Sequence, residues 1–273
     1  MSDAGPETPN RTRALDRGLL ILETLAARPQ LTLAEIAEAC DLSPATALRI
    51  LRTLEMRNFV QRDDDTRAFA IGLKAFEVGS RFLSETRLTE TCRLILRRLA
   101  GATGQSATLA ILDQADIVYV DVHEGNAPLR STPEVGTRAP AHATAPGKCL
   151  LADRWVGKLT EAIGEGPYLQ MTSRTITARD ALREELATVR REGLAIEHGE
   201  LLIDISGAAC PVRDRTGEVV AAIALQAPSA MMDAQSADWI EKLRAAAIES
   251  SHRLGWRDRM PPPSTGSATH LVD

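Results

Sequence analysis

The 273-residue chain lacks the segments that would direct it into a membrane or out of the cell. It contains no run of about 18 apolar residues, so no transmembrane helix is expected. Residues 1–13 lack the apolar stretch of a secretory signal peptide. We therefore expect a cytoplasmic protein with no membrane partner.

Cysteine and histidine are too scattered to form a recognisable metal or disulfide site. The chain has four cysteines and five histidines, with no CxxC motif and no metal-ligand spacing. A zinc site or a disulfide framework therefore has little support, and each cysteine is expected to be a small buried apolar residue. The chain also lacks a cofactor motif, so we expect no cofactor.

The stretch 31–54, LTLAEIAEACDLSPATALRILRTL, predicts two short amphipathic helices joined by a tight turn. Its apolar residues recur every three or four positions, and Thr32 with Glu35 fits a capping box. Ser43 is placed to cap the second helix, and Pro44 takes its first position, where a missing N–H costs nothing. This order is the layout of a helix-turn-helix, in which the second helix enters the DNA major groove.

The second helix leaves an outward face that can contact DNA. Arginines one turn apart on an exposed helix face can reach phosphates, or guanine edges with a bidentate fork. Thr46 can bond a base or a phosphate, and Ala45 can touch a thymine methyl. An ordinary helical hairpin with solvated arginines has the same pattern, so that alternative stays open. The predicted contacts from this segment are Ser43, Ala45, Thr46, Arg49 and Arg52.

A β-hairpin is predicted directly after the second helix. Residues 58–62 and 67–71 have strand character, and residues 63–66 form the turn between them. This is the wing of a winged helix, with Arg62 and Arg67 beside its tip, where they can grip phosphates. The acidic triplet at 63–65 argues against deep insertion of the tip into a groove.

Charge gives mixed support for DNA binding. The chain has a net charge of −5, and residues 1–80 hold ten Arg or Lys against twelve Asp or Glu. Between residues 44 and 62, however, there are four arginines and a single acid, Glu55. Because DNA meets local charge rather than the total, we expect a locally positive face and modest nonspecific affinity.

The remainder of the chain alternates predicted strands and helices, as an antiparallel sheet covered by helices would, and the fold class is therefore α+β. Strands are expected at 106–112, 117–122, 194–196, 205–212 and 219–225, and helices at 146–152, 178–192 and 235–254. The predicted organisation is a disordered lead at 1–10, a winged helix-turn-helix domain at 11–73, a linker helix region at 74–100, a sensor-like domain at 101–257 and a disordered tail at 258–273.

Four segments together resemble the IclR type of bacterial transcriptional regulator over about residues 13–256. They are RALDRGLLILETLA at 13–26, the winged-helix stretch at 31–79, PAHATAPGKCLLA at 140–152, and the C-terminal stretch running from SRTIT at 173 to ALQAP at 228. The resemblance implies a winged helix, a linker helix and a GAF/profilin-like effector domain. It also implies homodimers, often paired into tetramers, and a small organic molecule, frequently a carboxylic acid from carbon catabolism, that alters operator binding.

The resemblance further implies an effector pocket between the helix after HATA and the facing strands. A helix N-terminus presents free N–H groups and a positive dipole end to an anion. Those groups would come from Ala145, Gly147 and Lys148, whereas Pro146 cannot donate. A packed turn with a structural role is the alternative for this segment. The remaining pocket positions are Glu197, Gly207, Ala224 and Gln226.

Three of these positions depart from better-known carboxylate-binding members of the family. Where those members carry a cysteine and two serines, this chain has Gly207, Ala224 and Gln226. The loss of a thiol and two hydroxyls removes donors that suit a small keto acid, and it leaves space. We therefore expect an effector that is larger and less polar than a two- or three-carbon keto acid, with Gln226 supplying one hydrogen bond.

Two other functions stay open at this point. An enzyme would need Cys149, Cys210, His142 and Glu197 to meet, but nothing in the sequence arranges them as nucleophile, base and orienter, and we expect no enzyme. The second alternative is a partner-binding or dimerisation module whose winged helix no longer binds DNA. Operator binding would separate that module from a regulator, and turnover of a ligand would reveal an enzyme.

Overall fold

The computed structural model describes residues 12–85, 87–128, 132–154 and 158–257. The chain divides into two compact units, Met1–Glu85 and Thr86–Asp273. The predicted lead at 1–10 and tail at 258–273 lie outside the described residues. Within the described ranges, no helix has the length and apolar character needed to cross a membrane, and no His, Cys, Asp or Glu side chains cluster in threes as metal ligands would.

The first unit packs three helices and a hairpin around one apolar core, with a fourth helix at its end. The core joins Ile21 and Leu25 of the first helix to Ile36, Leu51 and Phe69. The two hairpin strands are antiparallel. The elements are α1 (Arg13–Ala27), α2 (Leu33–Ala39), α3 (Pro44–Met56), β1 (Val60–Arg62), β2 (Phe69–Ile71) and α4 (Leu73–Glu85).

The caps predicted for α2 and α3 are both present. The Thr32 hydroxyl accepts the Glu35 N–H at 3.4 Å, and the Glu35 carboxylate accepts the Thr32 N–H at 2.8 Å, which completes the capping box. The Ser43 hydroxyl accepts the Thr46 N–H at 3.3 Å. These bonds satisfy N–H groups that have no partner inside a helix. Between the two helices Asp41 adopts a left-handed φ of 51°, which turns the chain.

The second unit is a six-stranded antiparallel sheet with the strand order β5-β4-β3-β8-β7-β6. Its strands are β3 (Ser106–Asp113), β4 (Asp116–His123), β5 (Arg138–Pro140), β6 (Ala195–His198), β7 (Ile205–Arg213) and β8 (Val219–Pro228). Its helices are α5 (Leu88–Thr103), α6 (Ala145–Arg154), α7 (Leu159–Ile163), α8 (Arg179–Glu192) and α9 (Ser229–Arg253), with a 3-10 turn at Ala141–Ala143.

Helices cover both faces of this sheet. Ala209 of β7 belongs to a buried cluster that contains residues of α6 and α8. The next residue, Cys210, lines a cleft with Ala247 and Ser251 of α9. Because successive strand residues point to opposite faces, α6 and α8 cover one face and α9 covers the other, with α5 packed beside α9.

The predicted α+β fold with an N-terminal winged helix-turn-helix is confirmed, and the differences are local. The region expected as a linker helix contains two helices, α4 and α5, because Arg87 has a left-handed φ of 49° that a helix cannot contain. The strand Arg138–Pro140 was not predicted, since three residues at a sheet edge carry no alternating pattern. Helix α9 begins at Ser229, six residues before the expected start.

Candidate functional site

The exposed face of α3 carries the residues predicted to contact DNA. The side chains of Arg49 and Arg52 are exposed, and neither forms an ion pair within the described part of the chain. Ala45 is exposed as well. Ser43 and Thr46 are partly committed to the cap, because their hydroxyls lie 2.8 Å apart. The two arginines are therefore the charged groups of α3 that are free to meet an anionic partner.

The turn at the tip of the hairpin is held by Asp63, one of the three acids that argued against deep insertion into a groove. The Asp63 carboxylate accepts the N–H of Thr66 at 2.7 Å, the Thr66 hydroxyl at 2.8 Å and the N–H of Asp65 at 3.1 Å. The bonds from Thr66 lower the pKa of Asp63. The sequence predicted a turn at 63–66 and counted its acids as charge, but it did not reveal that the Asp63 carboxylate closes this turn as an Asx-turn.

The two hairpin arginines are held differently. The Arg62 guanidinium lies over the ring of Phe69, with its carbon 5.4 Å from the ring centroid, which is the geometry of a cation–π contact. Arg67 is exposed and adopts a left-handed φ of 58°. Arg62 is therefore oriented before any partner arrives, whereas Arg67 has only its backbone fixed.

In the second unit, strand register brings several predicted pocket residues together on the α6 face. Gly207 of β7 pairs with Glu197 of β6 on one side and with Gln226 of β8 on the other. A Cβ atom built on Gly207 would lie 3.5 Å from Cβ of Ala145 and 3.6 Å from Oε2 of Glu197. Ala224 shares the buried cluster with Ala145. The space left by Gly207 is thus one methyl group deep.

The N-terminus of α6 has fewer free N–H groups than the sequence suggested. The N–H of Gly147 donates to the Thr144 hydroxyl at 3.1 Å, and that of Lys148 donates to the Thr144 carbonyl at 2.9 Å. The expectation that both groups are free to bind an anion is therefore wrong in this structure. Ala145 retains an N–H in this turn, while Pro146 has none. Threonine as a helix cap is a signal that could have revealed this.

The Lys148 side chain is a site feature that sequence reasoning missed. It is completely buried, and its Nζ lies 2.5 Å from Glu200 and 3.4 Å from Glu185. Glu197 accepts the N–H groups of Glu200 and Leu201. Burial raises the pKa of Glu197 to about 7, even though those N–H groups and the Lys148 ammonium favour its charged form. This buried cluster ties α6 to α8 and to the segment after β6.

Polar groups also face α6 from the middle of the sheet. The Gln226 amide donates to the Tyr119 hydroxyl at 3.0 Å, so the hydrogen bond expected for an effector is directed at Tyr119. Burial raises the pKa of Tyr119 to about 12, which keeps the phenol neutral. The Thr108 hydroxyl, which sequence reasoning did not single out, is buried and has no hydrogen-bond partner among the described residues.

The side chains considered for catalysis do not assemble. Burial raises the pKa of Cys210 to about 12 and that of Cys149 well above its usual value, so both thiols are neutral. His142 is bonded through Nε2 to the Leu169 carbonyl at 2.9 Å. No hydrogen bond found in the described ranges joins either thiol to His142 or Glu197. In the described part of the chain, these four side chains therefore do not form an activated nucleophile.

Two family descriptions match most of the chain. Residues 14–64 match the IclR helix-turn-helix domain, and residues 80–252 match the bacterial transcriptional regulator IclR C-terminal region. One relative, the HTH-type transcriptional regulator BhcR of Paracoccus denitrificans, is 34% identical over 253 residues, which cover 92% of this chain and 89% of the relative.

Solved structures share the fold over nearly the whole chain. A candidate transcriptional regulator from Rhodococcus sp. RHA1 has a TM-score of 0.78 at 32% identity and covers 89% of this chain and 98% of its own. An IclR homologue from Microbacterium hydrocarbonoxydans, solved in complex with 4-hydroxybenzoate, has a TM-score of 0.80 at 24% identity, with coverage of 88% and 98%.

Proposed function

The chain belongs to the IclR family of helix-turn-helix transcriptional regulators, and from that premise we propose which residues bind operator DNA and which bind the effector. The single observation that supports the DNA-binding proposal is the exposure of Arg49 and Arg52 on α3, where neither has an ion-pair partner among the described residues. They read base edges or grip phosphates in the major groove. The supporting contacts come from Ser43, Ala45 and Thr46 on α3 and from Arg62 and Arg67 on the hairpin.

The effector is a small organic acid that binds on the α6 face of the sheet. The register that aligns Glu197, Gly207 and Gln226 beneath α6 supports this site. The 4-hydroxybenzoate bound by the Microbacterium homologue favours an acid with an apolar body over a two- or three-carbon keto acid. The site residues are Ala145, Pro146, Gly147, Glu197, Gly207, Ala224 and Gln226.

The working protein is a cytoplasmic homodimer, or a dimer of dimers, that regulates a catabolic operon and catalyses no reaction. Exposed apolar side chains support self-association: Leu15 and Leu19 of α1 are 63% and 50% exposed, and Phe76 of α4 is 69% exposed. Large apolar side chains left exposed in this way are available for contact with a second copy of the chain.

Fluorescence anisotropy on DNA from upstream of the gene that encodes the protein tests this function. Binding is measured at several salt concentrations against scrambled DNA, with and without aromatic and aliphatic acids. We expect tighter binding to the upstream DNA, and a shift with at least one acid. Equal binding to both DNAs would remove autoregulation at that site and call for a genome-wide binding search. Failure there as well would leave the partner-module function.

A further inference from the structure

Thr108 carries a buried hydroxyl in a region where every polar group needs a partner. The residue is 0% exposed, and its Oγ1 has no hydrogen-bond partner among the residues described. Burying an unpaired hydroxyl costs free energy, and native proteins keep such groups mainly where a water or a ligand completes them. A strand residue also has no helix carbonyl within reach, unlike Thr103, whose hydroxyl donates to the Leu99 carbonyl at 2.9 Å.

Register places this hydroxyl on the face that α6 covers. Thr108 pairs with Ala224 of β8 and with Val122 of β4. Ala110, two positions along the same strand, belongs to the buried cluster with Ala145 and Ala224. Because residues two apart on a strand share a face, the Thr108 side chain points to the same side as Ala224.

A second hydroxyl with an unused proton lies nearby. The Tyr119 oxygen accepts the Gln226 amide at 3.0 Å, which leaves the phenolic proton free to donate, and no described hydrogen bond uses it. Gln226 is two residues beyond Ala224, so it is a diagonal neighbour of Thr108. Thr108 and Tyr119 are buried, whereas their neighbours Val122 and Gln226 are only half-buried.

Charge favours this end of the sheet for an anionic group. Thr108 is on β3 and Glu197 is on β6, with two strands between them. At a strand spacing of about 4.8 Å, the backbones of β3 and β6 are roughly 14 Å apart. An acid bound at Thr108 is therefore far from the backbone of Glu197. The Glu197 carboxylate still acts on Tyr119, whose pKa is raised by burial and, to a smaller extent, by that charge. The N-terminus of α6 cannot replace these donors, because the N–H groups of Gly147 and Lys148 are already bonded.

We propose that the hydroxyls of Thr108 and Tyr119 donate hydrogen bonds to the carboxylate of the effector and so set its specificity. This inference rests on the proposed function, because it assigns the donors of the same site. It predicts that the effector carboxylate lies over β3 and β4, at the end of the site away from β6, with the apolar body over Ala224 and toward Gly207.

Isothermal titration of the full chain with benzoate, 4-hydroxybenzoate, hexanoate and pyruvate tests the assignment. Thr108→Val replaces the hydroxyl with a methyl of similar size, and Tyr119→Phe removes only the phenolic oxygen. For the probe that binds the wild type most tightly, we expect either change to raise Kd roughly tenfold to a hundredfold, the worth of a hydrogen bond to a charged group. Thr108→Ser retains the hydroxyl and should keep Kd near the wild-type value.

A matched control and a thermal scan separate a ligand contact from a structural role. Thr103→Val removes a buried hydroxyl that is already bonded within α5, so it should lower Tm and leave Kd unchanged. Thr108→Val should raise Tm without ligand, because it removes an unpaired polar atom. An unchanged Kd for both Thr108→Val and Tyr119→Phe overturns the inference and leaves the proposed function standing. A wild type that binds none of the probes overturns the acid-sensing function itself.

Discussion

The guanidinium groups of Arg49 and Arg52 are exposed and carry no ion pair in the described ranges, whereas the ammonium of Lys148 is fully buried 2.5 Å from a carboxylate of Glu200. These two arginines of the first unit are thus left at the surface, where they can exchange counterions for DNA phosphates. Lys148 of the second unit is paired in the interior instead, where it ties α6 to Glu200 and Glu185. We therefore expect DNA binding by the first unit to depend on salt concentration, and ligand binding by the second unit to depend on which internal hydrogen bonds a ligand can replace.

Removing the buried cation of Lys148 should have the largest effect on stability. Lys148→Met leaves Glu200 without its counter-ion in the interior, so the free energy of unfolding should fall by about 3–5 kcal/mol. Lys242→Met is the control, because Lys242 pairs with Asp238 on the exposed surface of α9. The control should change stability by less than about 1 kcal/mol. Urea unfolding measures both, and equal losses would show that the buried pair has no special role.

Titration of Glu197 is expected to make the stability of the second unit depend on pH. Its pKa is raised to about 7, so the folded chain binds this proton more tightly than the unfolded chain, and stability falls as the pH rises from about 4.5 to 7. Glu197→Gln cannot ionise and still accepts the N–H groups of Glu200 and Leu201. The variant should match the wild type near pH 4.5 and exceed it at pH 8 by about 2–3 kcal/mol. Parallel stability curves from pH 4.5 to 8 would contradict the buried-carboxyl account.

The surface arginines give effects of intermediate size on DNA binding alone. Arg49→Ala or Arg52→Ala should cost about 1–3 kcal/mol of operator affinity if the residue reads a base, or flatten the salt dependence by about one unit if it grips a phosphate. Neither should change Tm, since both side chains are exposed. Arg183→Ala, on the exposed surface of α8, is the charge-matched control. An affinity loss as large in the control would mean that net charge, not position, drives binding.

Removing the cap of α3 should have the smallest effect. It should change both the stability of the first unit and its affinity for DNA. Ser43→Ala removes the acceptor of the Thr46 N–H, so unfolding should become easier by about 1 kcal/mol. Operator affinity should fall modestly, because the first turn of α3 loses its fixed position. Thr53→Ala removes an exposed hydroxyl that donates to the Arg49 carbonyl, and it should have little effect on thermal unfolding.

Local signals explain what the sequence could predict. The Thr32 and Ser43 caps each involve a residue three positions away, so the helix-turn-helix could be predicted from the local sequence. The burial of Lys148 depends on Glu200, which is 52 residues away, and a lysine by itself predicts exposure. The end of α4 before Arg87 could not be predicted either, because arginine does not indicate a left-handed backbone.

The alignment of pocket residues was only partly visible. Glu197, Gly207 and Gln226 were named from resemblance, and the register of three strands sets them side by side. Thr108 was hidden, because SATLAILD has no strict polar alternation and reads as a strand buried on both faces. Its unpaired hydroxyl became visible once the strand pairing fixed which face it occupies.

The contact between Gly207 and Ala145 has an evolutionary consequence. A methyl at position 207 would already touch Cβ of Ala145 at 3.5 Å and Oε2 of Glu197 at 3.6 Å. A bulkier replacement at 207 therefore encounters an occupied volume unless a neighbour shrinks or shifts first. Substitutions at 145, 197 and 207 are consequently epistatic, and the order in which they arise decides which paths stay open. If this face binds the effector, we expect a change of effector to require paired substitutions, with the smaller residue arriving before the larger one.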